Sequence, residues 1–308
     1  MTERLMLLDT ASLYFRAFYG VPDTVRAPDG MPVNAVRGLL DIIARLVAEF
    51  EPTALVACWD DAWRPRWRVD LIPGYKAHRV AREVPGGVDI EETPENLVVQ
   101  LALIREVLDA FGITVLGAPD HEADDVIGSL ASQATTPVDV VTGDRDLFQL
   151  ADDASGVRVI YTARGMSNLE VITDAVLVAK YGIDPAQYAD FAVMRGDASD
   201  GLPGVSGVGE KTAASLLREY GDLDRIVAVA ADPAEPLSAT VRNRILAAAD
   251  YLAVAPQVVR VVRDLDFGEV DARIRPLTEE QRADIDTLAA KWGLGGSVER
   301  ALRALGNV

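Results

Sequence analysis

The sequence predicts an α/β fold with a mostly parallel sheet and helices on both faces, followed by a helical region. Short, β-branched apolar segments alternate with segments of helical periodicity over the first two-thirds of the chain, as in βαβ units. After residue 172 the strand-like segments stop, and short helical segments separated by Gly and Pro take over. We therefore expect two domains, residues 1–172 and 173–308.

Five segments have the composition of sheet strands. They are short, apolar and rich in β-branched residues, and they occupy positions 4–9, 54–60, 113–118, 138–144 and 157–162. Three of them end in Asp, a residue that strands avoid internally but accept at their ends. Because ligands of parallel α/β sheets bind beyond the carboxyl ends of the strands, we expect Asp9, Asp60 and Asp144 to lie together at one edge.

Two long segments predict helices that cover this sheet. Residues 34–50 have apolar positions at helical spacing. Residues 93–111 do too, with Thr93 expected as the N-cap and Pro94 at the first helical position. Shorter helices are expected after the boundary, at 173–182, 185–196, 209–221 and 222–231.

The composition limits the class of protein. The 308 residues are 49% hydrophobic and 25% charged, which suits one large or two modest domains with a real core. No apolar stretch approaches the roughly 18 residues of a membrane span, so no membrane partner is expected. The single cysteine, Cys58, favours the cytoplasm, and two histidines are too few for a Cys/His zinc site.

The net charge of −18 by itself argues against nucleic-acid binding. One segment departs from that average. Between residues 64 and 82 stand six arginines and lysines against a single acid, Asp70. A basic strip on an otherwise acidic surface could guide a polyanion to one place.

Nine carboxylates form the most informative pattern: Asp9, Asp60, Glu122, Asp124, Asp125, Asp144, Asp146, Asp197 and Asp200. A single Asp usually caps a helix or ends a strand, but the joint pattern is hard to explain that way. Crowded carboxylates need neutralising cations, and an all-oxygen set suits Mg²⁺ or Mn²⁺. Two such ions could hydrolyse a phosphodiester, with Lys76 neutralising charge on the scissile phosphate.

A second pattern, LPGVSGVGEKTAASLL at 202–217, predicts a phosphate contact. Gly207 and Gly209 allow a tight turn that exposes backbone N–H groups, and Lys211 and Thr212 follow at the start of the next helix. Glu210 breaks the Walker A spacing. A plain helical hairpin turn is the alternative interpretation of these glycines.

In combination, six segments resemble the bacterial 5′→3′ exonuclease/flap endonuclease family, which includes the N-terminal nuclease domain of DNA polymerase I. They are LLDTASLYFRAFYG, CWD, GYKAHR, HEADDVIGSLA, TGDRDLFQL and RGDASDGLPGVSGVGEKTAASLL, roughly residues 5–230. The resemblance implies a PIN-like fold with a helical arch at about 64–95 and a helix–three-turn–helix motif at about 195–220. It also implies a stand-alone, metal-dependent nuclease of DNA replication and repair.

The resemblance assigns roles to individual residues. Asp9, Asp60, Glu122 and Asp124 would form one metal site, and Asp125, Asp144, Asp146, Asp197 and Asp200 the other; a third ion is left open. Lys76 and Arg79 would contact the scissile phosphate. The expected DNA contacts are Arg16, Arg68, Tyr75, Gly207, Gly209, Lys211 and Thr212. The carbonyls of Val205 and Val208 would hold a K⁺ that bridges to duplex phosphate.

The expected partner of this monomer is DNA with a 5′ flap, nick, gap or recessed end. Two positions depart from the family pattern, since Gly201 replaces a common Asn and Ile72 replaces a common aromatic residue. Two alternatives stay open at this point: a non-catalytic DNA-binding relative, and a PIN-like or RNase-H-like nuclease acting on RNA–DNA hybrids.

Overall fold

The structure, a computed structural model, describes residues 3–306. Within that range the strands are β1 (Leu5–Asp9), β2 (Ala54–Cys58), β3 (Val80–Arg82), β4 (Ile90–Glu91), β5 (Thr114–Leu116), β6 (Val138–Thr142), β7 (Val157–Tyr161) and β8 (Glu170–Ile172). The helices are α1 (Thr10–Gly20), α2 (Asn34–Phe50), α3 (Arg66–Leu71), α4 (Glu95–Ala110), α5 (Ala123–Gln133), α6 (Asp174–Tyr181), α7 (Tyr188–Arg195), α8 (Glu210–Tyr220), α9 (Leu223–Ala231), α10 (Ala239–Ala247), α11 (Ala249–Val259), α12 (Glu279–Trp292) and α13 (Gly295–Ala304). Short 3₁₀ turns occupy Ala77–Arg79, Asp146–Leu150, Met166–Asn168 and Pro185–Gln187.

The main sheet has six strands in the order β5-β2-β1-β6-β7-β8. The first five are parallel, and β8 pairs antiparallel with β7 at the edge. The chain leaves β1 for β2 on one side and later adds β6 on the other, so the strand order reverses at β1. Such a reversal opens a crevice beyond the carboxyl ends of the strands, where α/β proteins bind ligands. The predicted mostly parallel sheet is confirmed.

Hydrophobic cores cover both faces of this sheet, as the apolar strands require. Alternate residues of β1 point to opposite faces: Met6 and Leu8 join the core under α1, α2, α4 and α13, whereas Leu7 joins the core under α5 and α7. The helical region therefore packs on both faces of the sheet, with α7 on the second face and α13 on the first. Of the helices within residues 3–306, none is both long and apolar enough to cross a lipid bilayer.

The helix predictions are confirmed, except for the start of one helix, and one short strand was not predicted. The segments predicted at 34–50 and at the four later positions are helical. The helix predicted to begin at Pro94 starts instead at Glu95, because Pro94 has an extended backbone, and Thr93 is therefore not the N-cap. Strand β8 was not predicted; three residues are too few to show a period.

The prediction of a helical arch over 64–95 is largely wrong. Only α3 and one 3₁₀ turn are helical there, and β3 and β4 form an antiparallel hairpin. Prolines at 73 and 85, each followed by glycine, interrupt any longer helix. The Arg64 guanidinium pairs with the Asp89 carboxylate and so joins the two ends of this segment.

An extended strap, residues 260–277, carries the chain from the helical region back to the first domain. The Leu55 N–H donates to the Ala272 carbonyl at 2.8 Å, which fastens the strap to the sheet. Beyond the strap, α12 and α13 pack in the same core as α2. The Arg300 guanidinium makes a bidentate ion pair with Asp41 of α2, at 2.8 and 2.9 Å. Early and late parts of the sequence thus share one core.

Gly128 of α5 lies directly against the strap. A Cβ at this position would stand 2.6 Å from the Val262 carbonyl oxygen, so Gly128→Ala must displace the strap. We expect the substitution to lower the free energy of unfolding by about 1–3 kcal/mol, measured by urea denaturation. Gly20→Ala is the matched control, because its Cβ would meet nothing within 4 Å. Equal stability of the two variants would contradict this account of the contact.

Candidate active site and nucleic-acid interface

A polar cavity of about 330 Å³ lies beyond the carboxyl ends of β1, β2 and β6, at the reversal of strand order. Its walls carry seven of the nine predicted carboxylates together with basic groups. The charged residues that line it are Asp9, Asp60, Lys76, Arg79, Glu91, Glu122, Asp124, Asp144, Arg145, Asp197 and Asp200. The topology therefore gathers side chains from widely separated segments, as the strand ends predicted.

Asp9 ends β1 and also caps α1. One carboxylate oxygen accepts a hydrogen bond from the Ser12 N–H at 3.1 Å, and the other accepts from the Thr142 hydroxyl at 2.6 Å. Thr142 is the last residue of β6, so this bond ties together the two strands that flank the crevice. The Asp9 carboxylate is thereby fixed at the cavity floor.

The second wall is the start of α5, which Glu122 caps. The Ala123 N–H donates to an Asp60 oxygen at 2.7 Å, so the residue that follows β2 is oriented by the same helix terminus. A carboxylate in front of free helical N–H groups is favoured by their dipoles. Asp124 lines the cavity from the first turn of α5.

Asp144 and Asp146 form the third wall, directly after β6. The Asp146 N–H donates to the Asp144 Oδ1 at 2.8 Å, which closes the turn between them. Asp144 lines the cavity, whereas Asp146 is buried beside it. The Asp146 Oδ1 has no hydrogen-bond donor, and a buried oxygen without a donor is suited to a cation.

The loop after α7 brings Asp197 and Asp200 to the cavity. The Leu202 N–H donates to the Asp197 carbonyl and the Asp197 N–H to the Leu202 carbonyl, at 2.8 and 3.0 Å. The Lys76 N–H donates to the Asp200 carbonyl at 2.9 Å. This loop and the turn that carries Lys76 are therefore fixed to each other.

Lys76 reaches the cavity from a left-handed backbone conformation, with φ at 48°, which residues other than glycine rarely adopt. Its ammonium pairs with Glu122. Burial lowers the pKa of Lys76, but the negative charge of Glu122 more than reverses this, and the pKa lies well above the usual value. Lys76 is therefore a fixed positive charge in the cavity.

Arg79 enters the cavity from the 3₁₀ turn. Its guanidinium donates through Nε to Glu91 at 3.0 Å. Glu91 was not predicted as a site residue, because it becomes a neighbour of Arg79 only through the β3–β4 hairpin. Arg145 also lines the cavity and was not predicted. It lies between Asp144 and Asp146, and the sequence pattern that predicted the site consists of carboxylates alone.

Three predicted roles are corrected by burial. Asp125 is fully buried and Arg68 is 2% exposed, and the two are paired outside the cavity, at 2.6 and 2.7 Å. Asp125 is therefore not in the lining of the cavity, and Arg68 does not present its guanidinium to DNA. Tyr75 is likewise buried, with its hydroxyl donating to Glu122 at 2.8 Å. The predicted DNA contact of Tyr75 is wrong for the same reason.

The basic segment 64–82 is consequently not one exposed strip. Arg64, Arg68 and Lys76 are buried and paired with carboxylates, and only Arg66, Arg79 and Arg82 reach solvent to a substantial degree. The local excess of positive charge neutralises acids inside the molecule. A count of charges along the sequence could not distinguish basic residues that neutralise buried acids from basic residues that form an exposed strip.

The remaining carboxylates fit a hard cation in their chemistry. Burial, together with the charges of neighbouring carboxylates, raises the pKa of Asp9 to about 7, and burial raises the pKa of Asp60 and of Asp200 to about 6. The same causes raise the pKa of Asp124 and Asp146 well above the usual value. Bound divalent ions would relieve this repulsion. Within residues 3–306, however, no three Asp, Glu, His or Cys side chains converge tightly enough to hold one metal ion, so the predicted ligand sets stay predictions.

The predicted duplex-binding turn lies between α7 and α8, about where the sequence indicated. Lys211 is exposed and Thr212 half-buried in the first turn of α8. The Val208 N–H donates to the Val205 carbonyl at 2.9 Å, and Arg244, which was not predicted, donates to the Gly207 carbonyl at 2.8 Å. The predicted potassium site and DNA contacts are untested by this geometry.

Arg16, another predicted DNA contact, lies on α1 in the wall of a shallow groove of about 810 Å³. The groove shares Ser12 and Phe15 with the acidic cavity and runs along α1 and α2. The Arg16 Nε is buried without a partner.

Comparisons with known proteins agree with this fold. The family model of the 5′-3′ exonuclease N-terminal resolvase-like domain matches residues 4–182. The model of the 5′-3′ exonuclease C-terminal SAM fold matches residues 183–281. The chain belongs to the 5′-3′ exonuclease family and is a nuclease, so the resemblance seen in its motifs is confirmed.

Its relatives include proteins that it matches over nearly their whole length. The chain is 58% identical over 300 residues to a 5′-3′ exonuclease of Streptomyces coelicolor, covering 97% of this chain and 99% of that one. A 5′-3′ exonuclease of Mycobacterium tuberculosis is 47% identical over 313 residues, covering 99% and 98%. DNA polymerase I of Mycobacterium bovis is 39% identical over 315 residues, which cover 94% of this chain and 32% of the polymerase.

Solved structures share the fold at low sequence identity. A bacteriophage T5 flap endonuclease, in a complex with DNA and metal ions, has a TM-score of 0.64 at 16% identity and covers 99% of this chain and 100% of that one. The catalytic core of Rad2, in a complex with DNA substrate, has a TM-score of 0.59 at 16% identity and covers 98% and 92%.

Gly201, one of the two departures from the family pattern, is explained by its neighbours. It has φ at +70°, and a Cβ there would stand 2.3 Å from the Gly74 carbonyl oxygen, in the turn that precedes Lys76. We expect Gly201→Ala to displace that turn and to lower the melting temperature. Gly30→Ala is the control, because Gly30 also has a positive φ, at +91°, but nothing within 4 Å. Equal losses would mean that backbone conformation, and not the Gly74 contact, requires glycine.

Proposed function

We propose that this protein is a structure-specific 5′ nuclease, a 5′→3′ exonuclease and flap endonuclease that hydrolyses DNA phosphodiesters with two Mg²⁺ or Mn²⁺ ions. The observation that carries the proposal is the cavity at the strand ends, which seven of the nine predicted carboxylates line together with the buried Lys76. Family membership adds the 5′→3′ polarity. The preferred substrates would be DNA with a 5′ flap, nick, gap or recessed end.

Two sets of carboxylates would hold the ions. Asp9, Asp60, Glu122 and Asp124 are the first set; Asp144, Asp146, Asp197 and Asp200 are the second. The all-oxygen chemistry of both sets, and the raised pKa of Asp9 in the first and of Asp146 in the second, support cation binding, with Asp125 now left out. When bound, the ions would supply Lewis-acid activation of water and charge stabilisation at the leaving oxygen.

In the proposed reaction a water oxygen forms a bond to phosphorus and the bond from phosphorus to the 3′ oxygen breaks. The leaving oxygen takes up a proton and becomes a 3′-hydroxyl, and the phosphate stays on the 5′ end. Lys76 and Arg79 would hold the scissile phosphate and balance the charge that develops on it. Because Lys76 is buried, its charge acts in a medium where electrostatic interactions are strong.

The helical region would hold the duplex by its backbone. Lys211, Thr212 and the turn at Gly207 and Gly209 would contact phosphates without reading sequence. Arg244, exposed beside this turn, would add a further cation. Carbonyls of Val205 and Val208 would hold a K⁺ between turn and phosphate, and Arg16 would contact the strand next to the cavity. In this scheme residues 1–172 supply most of the cutting site, Asp197 and Asp200 complete it, and the other residues named in the helical region 173–308 hold the duplex.

The first experiment is cleavage of a 5′-labelled flap DNA with and without Mn²⁺. We expect Mn²⁺-dependent release of the flap by the wild type, and a loss of at least 100-fold in Asp144→Asn, which removes one cavity carboxylate. Asp153→Asn is the control, because Asp153 is exposed in the turn before β7, at the opposite edge of the sheet.

Binding of the flap DNA without cleavage by the wild type would reject the proposal in favour of a non-catalytic DNA-binding relative. Faster cleavage of an RNA–DNA hybrid than of the flap would reject DNA as the preferred substrate. Equal activity of Asp144→Asn and Asp153→Asn would mean that the cavity is not where cleavage occurs.

Lys76 and Lys211 should separate chemistry from binding. We expect Lys76→Ala to slow cleavage far more than it weakens duplex binding, because Lys76 lies in the cavity. Lys211→Ala should mainly weaken binding and reduce its salt dependence by about one phosphate contact. The measurements are single-turnover cleavage rates and dissociation constants at several salt concentrations. Equal effects of Lys76→Ala on both quantities would make it a docking residue, and an unchanged salt slope would remove Lys211 from the interface.

A further inference from the structure

A cluster of buried charges lies directly behind the cavity wall, around Arg68. We propose that Arg68 and Asp125 are positioning residues: they hold the Glu122 carboxylate at the metal cavity and fasten it to the backbone of the helical region. This inference rests on the proposed function, since it gives meaning to Glu122 as a metal ligand.

Arg68 uses its guanidinium as a bridge between two carboxylates. Its Nη1 donates to Glu122 Oε1 at 2.8 Å and to Asp125 Oδ2 at 2.7 Å, and its Nη2 donates to Asp125 Oδ1 at 2.6 Å. The planar fork of arginine suits this bidentate contact, and lysine could not reproduce it. Arg68 thus sets the distance between Glu122 and Asp125.

Asp125 has no free position for a metal ion. Besides Arg68, its Oδ1 accepts from the Val262 N–H at 2.9 Å, and its Oδ2 accepts from the Glu122 N–H at 3.3 Å. Each oxygen therefore has two donors, which fills the lone pairs of a carboxylate. The carboxylate predicted as a ligand instead organises the residue that lines the cavity.

Glu122 is held from three sides. Its Oε1 accepts from Arg68 and from the Tyr75 hydroxyl, each at 2.8 Å, and its Oε2 pairs with Lys76. The cluster has two positive and two negative side chains, so these buried charges balance. Removing one partner would leave a buried charge without compensation, and Glu122 would turn or shift to restore pairing.

The same cluster reaches the helical region. The Arg68 Nε donates to the Val258 carbonyl at 3.0 Å, in the last turn of α11, and Asp125 accepts from Val262 just beyond it. These two backbone contacts span the junction between α11 and the strap. Hydrogen bonds through Arg68 and Asp125 therefore connect the side chain of Glu122 to the part of the protein that is proposed to hold the duplex.

The test measures Mn²⁺ affinity of the full chain by calorimetry, separately from cleavage. We expect Arg68→Lys and Asp125→Asn each to weaken Mn²⁺ binding by about 10–100-fold, the range typical when a carboxylate behind a metal ligand is lost. A paired variant, Arg68→Met with Asp125→Asn, removes one charge of each sign and should fold even where a single variant does not. Its loss should be no larger than that of either single variant, because all three break one cluster.

Asp139→Asn is the matched control. Asp139 is also fully buried and is paired with Arg4 and Arg158, both at 2.7 Å, but it lies near the start of β6, away from the cavity. We expect it to lower the melting temperature while Mn²⁺ affinity stays at the wild-type value. In Arg68→Lys the turnover rate should fall, with metal-free DNA binding unchanged.

Three results would overturn the inference. Equal losses of Mn²⁺ affinity in Asp139→Asn and Arg68→Lys would reflect general destabilisation. A loss in Asp125→Asn without one in Arg68→Lys would make Asp125 a direct ligand, and wild-type Mn²⁺ affinity in the paired variant would leave the cluster without a role at the cavity. Absence of Mn²⁺ binding by the wild type would instead overturn the proposed function itself.

Discussion

The burial of several carboxylates at one place is the constraint on which the rest of this structure depends. Asp9, Asp60 and Asp200 are brought together at one sheet edge, where burial and, in addition, the charges of neighbouring carboxylates raise the pKa of each. The fold opposes that cost with positive groups and with N–H donors directed at the cluster. Hydrogen bonds to Asp9 and Asp60 come from α1 and α5 because those helices begin at the same edge. The position of the acidic cavity thus follows from the topology. Its crowded carboxylates are stabilised by N–H donors and by the Lys76 ammonium.

The sequence was sufficient for five of the six strands of the main sheet and for most of the cavity, because both follow from simple rules. Strands that end in Asp must meet at one edge, and six of the seven predicted carboxylates that line the cavity lie within three residues of a strand end or an α-helix end. The third wall was found because Asp144 follows β6 directly. Local pattern and chain topology agree at these positions, and agreement between levels makes a prediction reliable.

What the sequence could not provide is the direction in which each charged side chain faces. Asp124 and Asp125 are neighbours on α5, yet one lines the cavity and the other is fully buried behind it. A rotation of about 100° per residue separates them, and sequence alone does not say which face meets the strap. The prediction of a helical arch was wrong for a related reason. The hairpin segment is held by ion pairs of Asp89 with Arg64 and of Glu91 with Arg79, and these partners are 25 and 12 positions apart in the sequence.

The return of α13 to α2 has a consequence for the order in which the molecule can be built. Asp41 and Arg300, which join these helices, are 259 positions apart in the chain. Contacts between segments so far apart in sequence form slowly during folding, and during synthesis α2 emerges long before its partner. The apolar side of α2 that α13 covers therefore stays exposed until nearly the whole chain has been synthesised. The N-terminal domain is completed only when the last helix of the described chain packs against one of its first helices.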